Sequence, residues 1–223
     1  HIQSDGIVPN NAYHRYNMTI RNTSSFLEDK LELDLSASYI RQFERNMVSY
    51  GTYFNPIVGA YLYPRGNDFE QEKYFERYDV GAGYAKQYWS VGGFGADIQN
   101  PYWIAYRNLR EVKRDRYLLS LGATLDLIKW NNAEKWDISA RMRTDNTHIT
   151  NTDKRYASTL ATLAKSKTGY FGFARGYEKQ TYLDVLTNLN KNFKWNEKDL
   201  SLTANIGASL QDTQYDMMKY EGP

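Results

Sequence analysis

Three histidines, His1, His14 and His148, are the only imidazoles in the chain. No two have the spacing that presents paired metal ligands, and cysteine is absent, so zinc sites, thiolate chemistry and disulfides are not expected. Carboxylates gather at Asp68, Glu70 and Glu72, where a solvated loop face accounts for them without catalysis. No nucleophile stands in a pattern with a base, so the chain reads as no enzyme and as holding no cofactor or metal. Val91-Gly92-Gly93-Phe94-Gly95 lacks the strand–turn–helix context that a dinucleotide fingerprint requires, and reads as a loop. Asn17-Met18-Thr19 and Asn22-Thr23-Ser24 match a glycosylation acceptor pattern but fall inside a run of strand character. Arg141, Arg143 and Asp145 could meet a polar solute, pair with one another, or pair with another segment.

The elements that would position these groups are strands. The 28 basic and 26 acidic residues leave a net charge of +2, which gives no electrostatic footprint for nucleic acid. No run approaches the ~20 apolar residues of a membrane helix. Mean hydropathy is −0.72, but this does not exclude a membrane barrel, in which only alternate residues meet lipid. Period-two alternation is the dominant pattern. Tyr16, Met18 and Ile20 alternate with Asn17, Thr19 and Arg21. After a turn at Leu27-Glu28-Asp29-Lys30, Leu31, Leu33, Leu35, Ala37 and Tyr39 alternate with Glu32, Asp34, Ser36 and Ser38. A second hairpin alternates from Tyr117 to Leu127, turns near Asn131-Asn132, and resumes from Trp136 to Met142. A third runs through Leu183, Val185, Leu189 and Phe193, turns at Asn196-Glu197-Lys198, and continues from Leu200 to Leu210. The strands expected are about 13–26, 31–43, 116–128, 136–146, 180–193 and 200–212, with long connections over about 44–115 and 147–179.

Alternation alone fits a soluble sheet with one dry face as well as a membrane barrel. Four features favour the barrel. The runs match a tilted membrane strand of about 9–11 residues better than the usual soluble strand of about 5–6. The polar face carries Ser, Thr, Asn, Gly, Asp and Arg rather than Lys and Glu, which suits a watered lumen. Short turns alternate with long links, as in outer-membrane barrels. Phe26, Trp130, Trp136, Phe193 and Trp195 flank the short turns, where an interfacial girdle belongs. The fold class expected is therefore all-β, an antiparallel transmembrane β-barrel segment of about six strands in three hairpins. Six strands of a larger sheet cannot close, so the barrel would be incomplete.

Residues 44–115 hold 16 of the 34 aromatics and 8 of the 15 glycines. Disordered linkers are poor in aromatics, so this segment is expected to be ordered. The short turns would face one side and this link the other, at the barrel mouth. Tyrosine and tryptophan combine an apolar ring with a polar handle. Tyr50, Tyr53, Tyr61, Tyr63, Trp89, Tyr102 and Trp103 are therefore the candidates for contact with a substrate or partner, against the plainer reading that most of them pack the loop on itself.

Several stretches carry a resemblance. Arg15-Tyr16-Asn17-Met18-Thr19-Ile20-Arg21-Asn22-Thr23, Tyr53-Phe54-Asn55-Pro56, Tyr63-Pro64-Arg65-Gly66-Asn67-Asp68, Gln99-Asn100-Pro101-Tyr102-Trp103, Tyr156-Ala157-Ser158-Thr159 and Ala204-Asn205-Ile206-Gly207-Ala208-Ser209 resemble, in order and spacing, the barrel of the SusC/RagA family of TonB-linked outer-membrane transporters. The likeness runs from about residue 7 to the end. It implies a segment of a large importer in the outer membrane of a Gram-negative, Bacteroidetes-type bacterium, in contact with outer-membrane lipid. It also implies a SusD-like lipoprotein cap, a plug and a TonB-engaging region lying N-terminal to this segment, and a glycan or peptide substrate. The absence of a plug and of an initiating Met leads to the expectation of an internal barrel fragment. The alternative is a soluble β-sandwich that binds carbohydrate or protein through the aromatic loop.

Overall fold

The computed structural model describes all residues except 49, 50, 52, 92–97, 132, 133, 161–166, 196 and 197, together with the side chain of Trp195. Tyr50, most of the Gly92–Gly95 run, Asn132 and the Asn196-Glu197 turn therefore lie outside the described residues.

Alternating residues of high β propensity build seven strands into one antiparallel sheet. These are β1 (Ile2–Asp5), β2 (Ala12–Phe26), β3 (Leu31–Arg45), β6 (Asn108–Lys129), β7 (Lys135–Arg155), β8 (Tyr170–Trp195) and β9 (Lys198–Gly222). A separate two-stranded ribbon joins β4 (Glu76–Asp79) to β5 (Tyr84–Gln87). The large sheet has the order β1-β2-β3-β6-β7-β8-β9 and is open, with β1 and β9 as its edges. The three expected hairpins are β2–β3, β6–β7 and β8–β9. No second sheet packs on either face among the described residues, which removes the sandwich architecture, since that needs two stacked layers.

Register settles which residues share a face, because directly paired residues point the same way. Leu31 pairs with Leu125, Leu35 with Leu121, and Ala37 with Leu119. Leu125 pairs with Ile138, Ile138 with Thr187, and Thr187 with Ile206. Leu33, Leu200 and Leu202 fall on the same side, opposite Ala123, Phe193 and Lys191. Ser201, Thr203 and Asn205 take the other side with Asn192, Asn190 and Asn188. One departure comes from a bulge between Asp126 and Ile128. It places Ile128, rather than Leu127, opposite Trp136.

The strands run further than alternation indicated. β7 continues to Arg155 and β8 begins at Tyr170, so the second long link shrinks to residues 156–169; the first becomes 46–107. The extensions carry polar residues on both faces, as in His148-Ile149-Thr150-Asn151-Thr152-Asp153. The hydrogen-bond ladder persists there after the hydrophobic pattern has ended. β8 has 26 residues, roughly 85 Å at about 3.3 Å per residue, far longer than its apolar part.

Asn46 ends β3 at a left-handed φ of 50°. Its backbone N–H donates to the Arg110 carbonyl at 2.7 Å, and its Oδ1 accepts from the Arg110 N–H at 2.7 Å. Its Nδ2 reaches the Ala105 carbonyl at 3.1 Å. This one asparagine clamps the end of β3 to the start of β6. At the entry to β8, Gly169 has φ 104°, and a Cβ there would lie 2.7 Å from the Arg155 carbonyl oxygen. Gly83, in the β4–β5 turn, has φ 76° and open space around it. Gly169→Ala should therefore cost about 2–3 kcal/mol, from dihedral strain plus the backbone clash, and Gly83→Ala only about 1 kcal/mol. Equilibrium unfolding of the full protein carrying each change checks the ordering.

Candidate functional site

The link between β3 and β6 is an ordered assembly. Asn55 and Asn100 each precede a proline and cap a short helix. Asn55 Oδ1 accepts from the Ile57 N–H at 3.0 Å and opens α1 (Pro56–Leu62). Asn100 Oδ1 accepts from the Tyr102 N–H at 2.8 Å and opens α2 (Pro101–Arg107). Proline suits the first helical position, where its missing N–H would be unpaired anyway. Asp68 caps the 3₁₀ turn Phe69–Lys73 in the same way. Gly59 lets α1 approach the chain before α2, since a Cβ there would meet Pro101 at 3.0 Å and the Gln99 carbonyl at 3.2 Å.

Two buried polar side chains form the hub. Glu72 is 1% exposed and Asn100 is fully buried. Glu72 accepts from the Tyr63 hydroxyl, the Ser90 N–H and hydroxyl, and Asn100 Nδ2. Asn100 Nδ2 also donates to the carbonyls of Glu72 and Tyr88, each at 3.0 Å, and its N–H donates to Gln87 Oε1 at 2.8 Å. The Gln87 N–H reaches Ser158 Oγ at 2.8 Å, bringing in the link between β7 and β8. A buried carboxylate or amide is tolerated only when its hydrogen-bonding capacity is met, and here it is met by segments distant in sequence.

Rings and guanidinium groups complete the assembly. Tyr63 packs on Phe69 and Trp89, at centroid distances of 5.0 and 5.8 Å, and Phe69 packs on Tyr102 at 5.6 Å. Burial is the first cause holding the Tyr63 hydroxyl above the usual tyrosine range. Arg107 forms a bidentate pair with Glu76, both contacts 2.7 Å, between the rings of Phe75 and Tyr156. Arg155, at the top of β7, lies between the rings of Phe54 and Tyr170. These two arginines fasten the assembly to the strand ends.

The structure thus divides the aromatic candidates. Tyr63, Trp89 and Tyr102 come together as a half-buried cluster. Tyr53 and Tyr61 are exposed, Tyr61 at 86%, and stand apart from it. Trp103 is 0% exposed and donates from Nε1 to Thr159 Oγ1 at 3.1 Å, so it packs the assembly and presents no surface to a solute. Sequence reasoning missed the β4–β5 ribbon, which presents Tyr74, Tyr78 and Val80 to solvent. The signal was there: apolar Tyr74, Tyr78 and Val80 at even positions, ahead of Gly81-Ala82-Gly83.

On the polar face of the sheet Asp145 pairs with Arg116 rather than with Arg141 or Arg143. Arg141 and Arg143, with Arg21, Asp34, Ser36 and Ser120, line a hollow of about 430 Å³. A second hollow of about 540 Å³ lies nearer the loops, lined by Arg110, Asn151, Arg155, Tyr170 and Lys219 among others. Among the described residues no three His, Asp or Glu side chains gather as metal ligands.

What the fold defines is a class: a stretch of antiparallel wall, apolar on one side and polar on the other, with an ordered assembly on the long-loop end. No protein-family model matches the chain, and no curated protein sequence matches it. Among solved structures, it is similar in fold to a chain of the RagAB peptide importer in its closed-closed state, with a TM-score of 0.50 and 14% identity over 95% of this chain and 25% of that one. The open-open state of that importer gives 0.49 and 15% over the same shares. The chain spans about a quarter of the length of the structures it matches.

The β4–β5 ribbon is held by an ion pair of Asp79 and Lys86, 2.7 Å apart. The Lys86 contact, then the Ala82 N–H, holds the Asp79 carboxyl below its ordinary range, and Asp79 holds the Lys86 ammonium above its own. The Asp79 contribution is complete above the ordinary aspartate pKa of ~3.9 and is lost as pH falls through its depressed value. The Lys86 contribution is complete below ~10.4 and is lost as pH rises through its raised value. Amide hydrogen exchange of residues 76–87 should thus be flat from about pH 5 to 9, after correction for intrinsic rates, and gain protection loss only beyond those limits.

Proposed function

We propose that this chain is part of the wall of an outer-membrane importer of the SusC/RagA type, driven through TonB and capped by a SusD-like lipoprotein, which takes up glycans or peptides. Its role is to bind and pass a solute, not to catalyse a reaction. The observation that carries this reading is the slope of the apolar band. On the loop side the band ends at Tyr16 on β2 and at Tyr39 and Tyr117 on β3 and β6, but at Met142, Leu183 and Leu210 on β7, β8 and β9. The residue level with Tyr16 in register is Asp216 on β9, reached through Arg41, Asp115, His148 and Tyr177. The edge therefore descends by about six residues, ~20 Å, across five strand spacings of about 4.8 Å, a slope of roughly 40°. Strands tilted by about 35–45° in a bilayer require such a slope, because the hydrocarbon boundary is level while the register rows are not. A soluble sheet has no reason to offset its dry patch in this way. The fold likeness to the RagAB peptide importer supports the same reading.

In this arrangement the short turns lie on the periplasmic side and the α1–α2 assembly on the outside, at the barrel mouth. Tyr53, Tyr61, Tyr63, Trp89 and Tyr102 then supply rings and hydroxyls that hold a polar solute, or the lipoprotein cap, weakly at several points. Tyr50 belongs to the same proposed set by sequence.

Two experiments on the full transporter test this. Leu121→Arg, at mid-band, should destabilise the protein in lipid vesicles by about 2–4 kcal/mol, and Ser120→Arg, one residue away on the polar face, by less than about 1 kcal/mol. Equal effects in urea titration would refute the membrane assignment. Replacing the five described aromatics together with alanine should lower uptake about tenfold at normal surface abundance, through loss of stacking contacts. Unchanged uptake and unchanged lipoprotein binding would reduce the assembly to scaffolding.

A further inference from the structure

The outward face just beyond the loop-side edge of the apolar band carries cations that the fold leaves without counter-charge. Lys113 on β6, Thr150 on β7 and Arg175 on β8 stand in one cross-strand row. Two rows nearer the band, Lys179 lies opposite Asn146, which lies opposite Tyr117. The row between them is Asp115, His148 and Tyr177. Asp115 is already engaged, accepting from the Tyr39 hydroxyl at 2.6 Å and facing Arg41 at 3.9 Å. The other acid at this level is Asp216, beyond Tyr177 toward the free edge. Among the described residues Lys113, Arg175 and Lys179 make no ion pair; Lys113 only lies over the Phe43 ring, 5.9 Å from its centroid. The turn-side edge differs: there Lys191 is held by Glu134 at 2.9 Å and lies 4.2 Å from the Trp130 ring centroid.

We infer that Lys113, Arg175 and Lys179 form a binding patch for the phosphate groups of a phosphorylated glycolipid in the leaflet on the loop side. The inference rests on the membrane reading above. Its physical basis is continuity with the apolar band: a lipid whose acyl chains cover Leu119, Met142 and Leu183 places its head group at the height of these cations. The ligand must be anionic to complement three uncompensated charges. It must also offer hydroxyls, because Asn146, His148, Thr150 and Tyr177 fill the spaces between the cations with donors and acceptors. A phosphorylated sugar meets both needs, while a zwitterionic head group brings its own cation and meets the first poorly. Each cation beside an anionic surface contributes attraction of measurable size.

The test uses the intact transporter in detergent, titrated with bis-phosphorylated lipid A and read by native mass spectrometry. Parallel arms use dephosphorylated lipid A, phosphatidylethanolamine and inorganic phosphate. Wild type should retain lipid A over the dephosphorylated form, and K113Q/R175Q/K179Q should weaken that retention by about tenfold or more. R141Q/R143Q, which removes two charges from the opposite face, should leave it unchanged. Equal retention by wild type and triple variant, equal loss in R141Q/R143Q, or displacement by millimolar inorganic phosphate would each overturn the patch. A transporter that stays monodisperse without detergent would overturn the membrane reading and the patch with it. Dependence on detergent together with undiminished lipid A binding by the triple variant would overturn the patch alone.

Discussion

The structure depends on the hydrogen-bond ladder of a single sheet. Most proteins of this length bury an apolar core between layers. Here the described fully buried apolar residues are few, among them Trp103, Ile104 and Ala105 in the loop assembly, while Leu35, Leu121, Leu202 and Ile206 lie open on the sheet. The ladder satisfies the backbone along strands as long as 26 residues, and it leaves the two faces free to meet different surroundings. In hydrocarbon no water is present to pair a stray N–H or C=O, so a continuous ladder is the condition for exposing such a face at all. The same ladder makes each face a strict alternate of the other, so a one-residue slip would move Leu121 and Leu202 among the serines and asparagines.

The loop assembly solves the opposite problem. It has no long ladder, so its backbone and side-chain polar groups are satisfied one by one, through the caps of Asn55, Asp68 and Asn100 and the hub of Glu72. Aromatic rings fill the space between, and Arg107 and Arg155 tie it to the strand tops by stacking as well as charge. Planar guanidinium groups suit that task because they pair and stack at the same time.

How far the sequence could be read follows from these two modes. The sheet faces were legible from alternation, because one hydrophobic residue in two is a local pattern. The ends of β7 and β8 were not, because Thr150, Asn151 and Thr152 read as loop although they remain paired. β1 was too short to be visible. In the assembly, the Asn-Pro pairs were noticed only as punctuation and a likeness, yet they are helix starts. Glu72 was read as one more solvated carboxylate; its burial depends on Ser90 and Asn100, which no local window contains. Trp103 was grouped with the contact candidates because residue type alone does not tell an exposed indole from a buried one that has found Thr159.

Asn46 carries a consequence for how the chain assembles. The hairpins β2–β3, β6–β7 and β8–β9 close short turns, and such ribbons form within microseconds. Joining β3 to β6 is slower in principle, since residues 46–107 must be brought back on themselves, at an entropy cost that grows only with the logarithm of their number. The α1–α2 assembly shortens that search. Once folded, it holds the Ala105 carbonyl where Asn46 can reach it, and Asn46 then meets both backbone groups of Arg110. The first rung between the two hairpins is thereby set by a side chain instead of by a turn. The surface assembly thus doubles as a template: it fixes the phase in which one half of the wall zips onto the other.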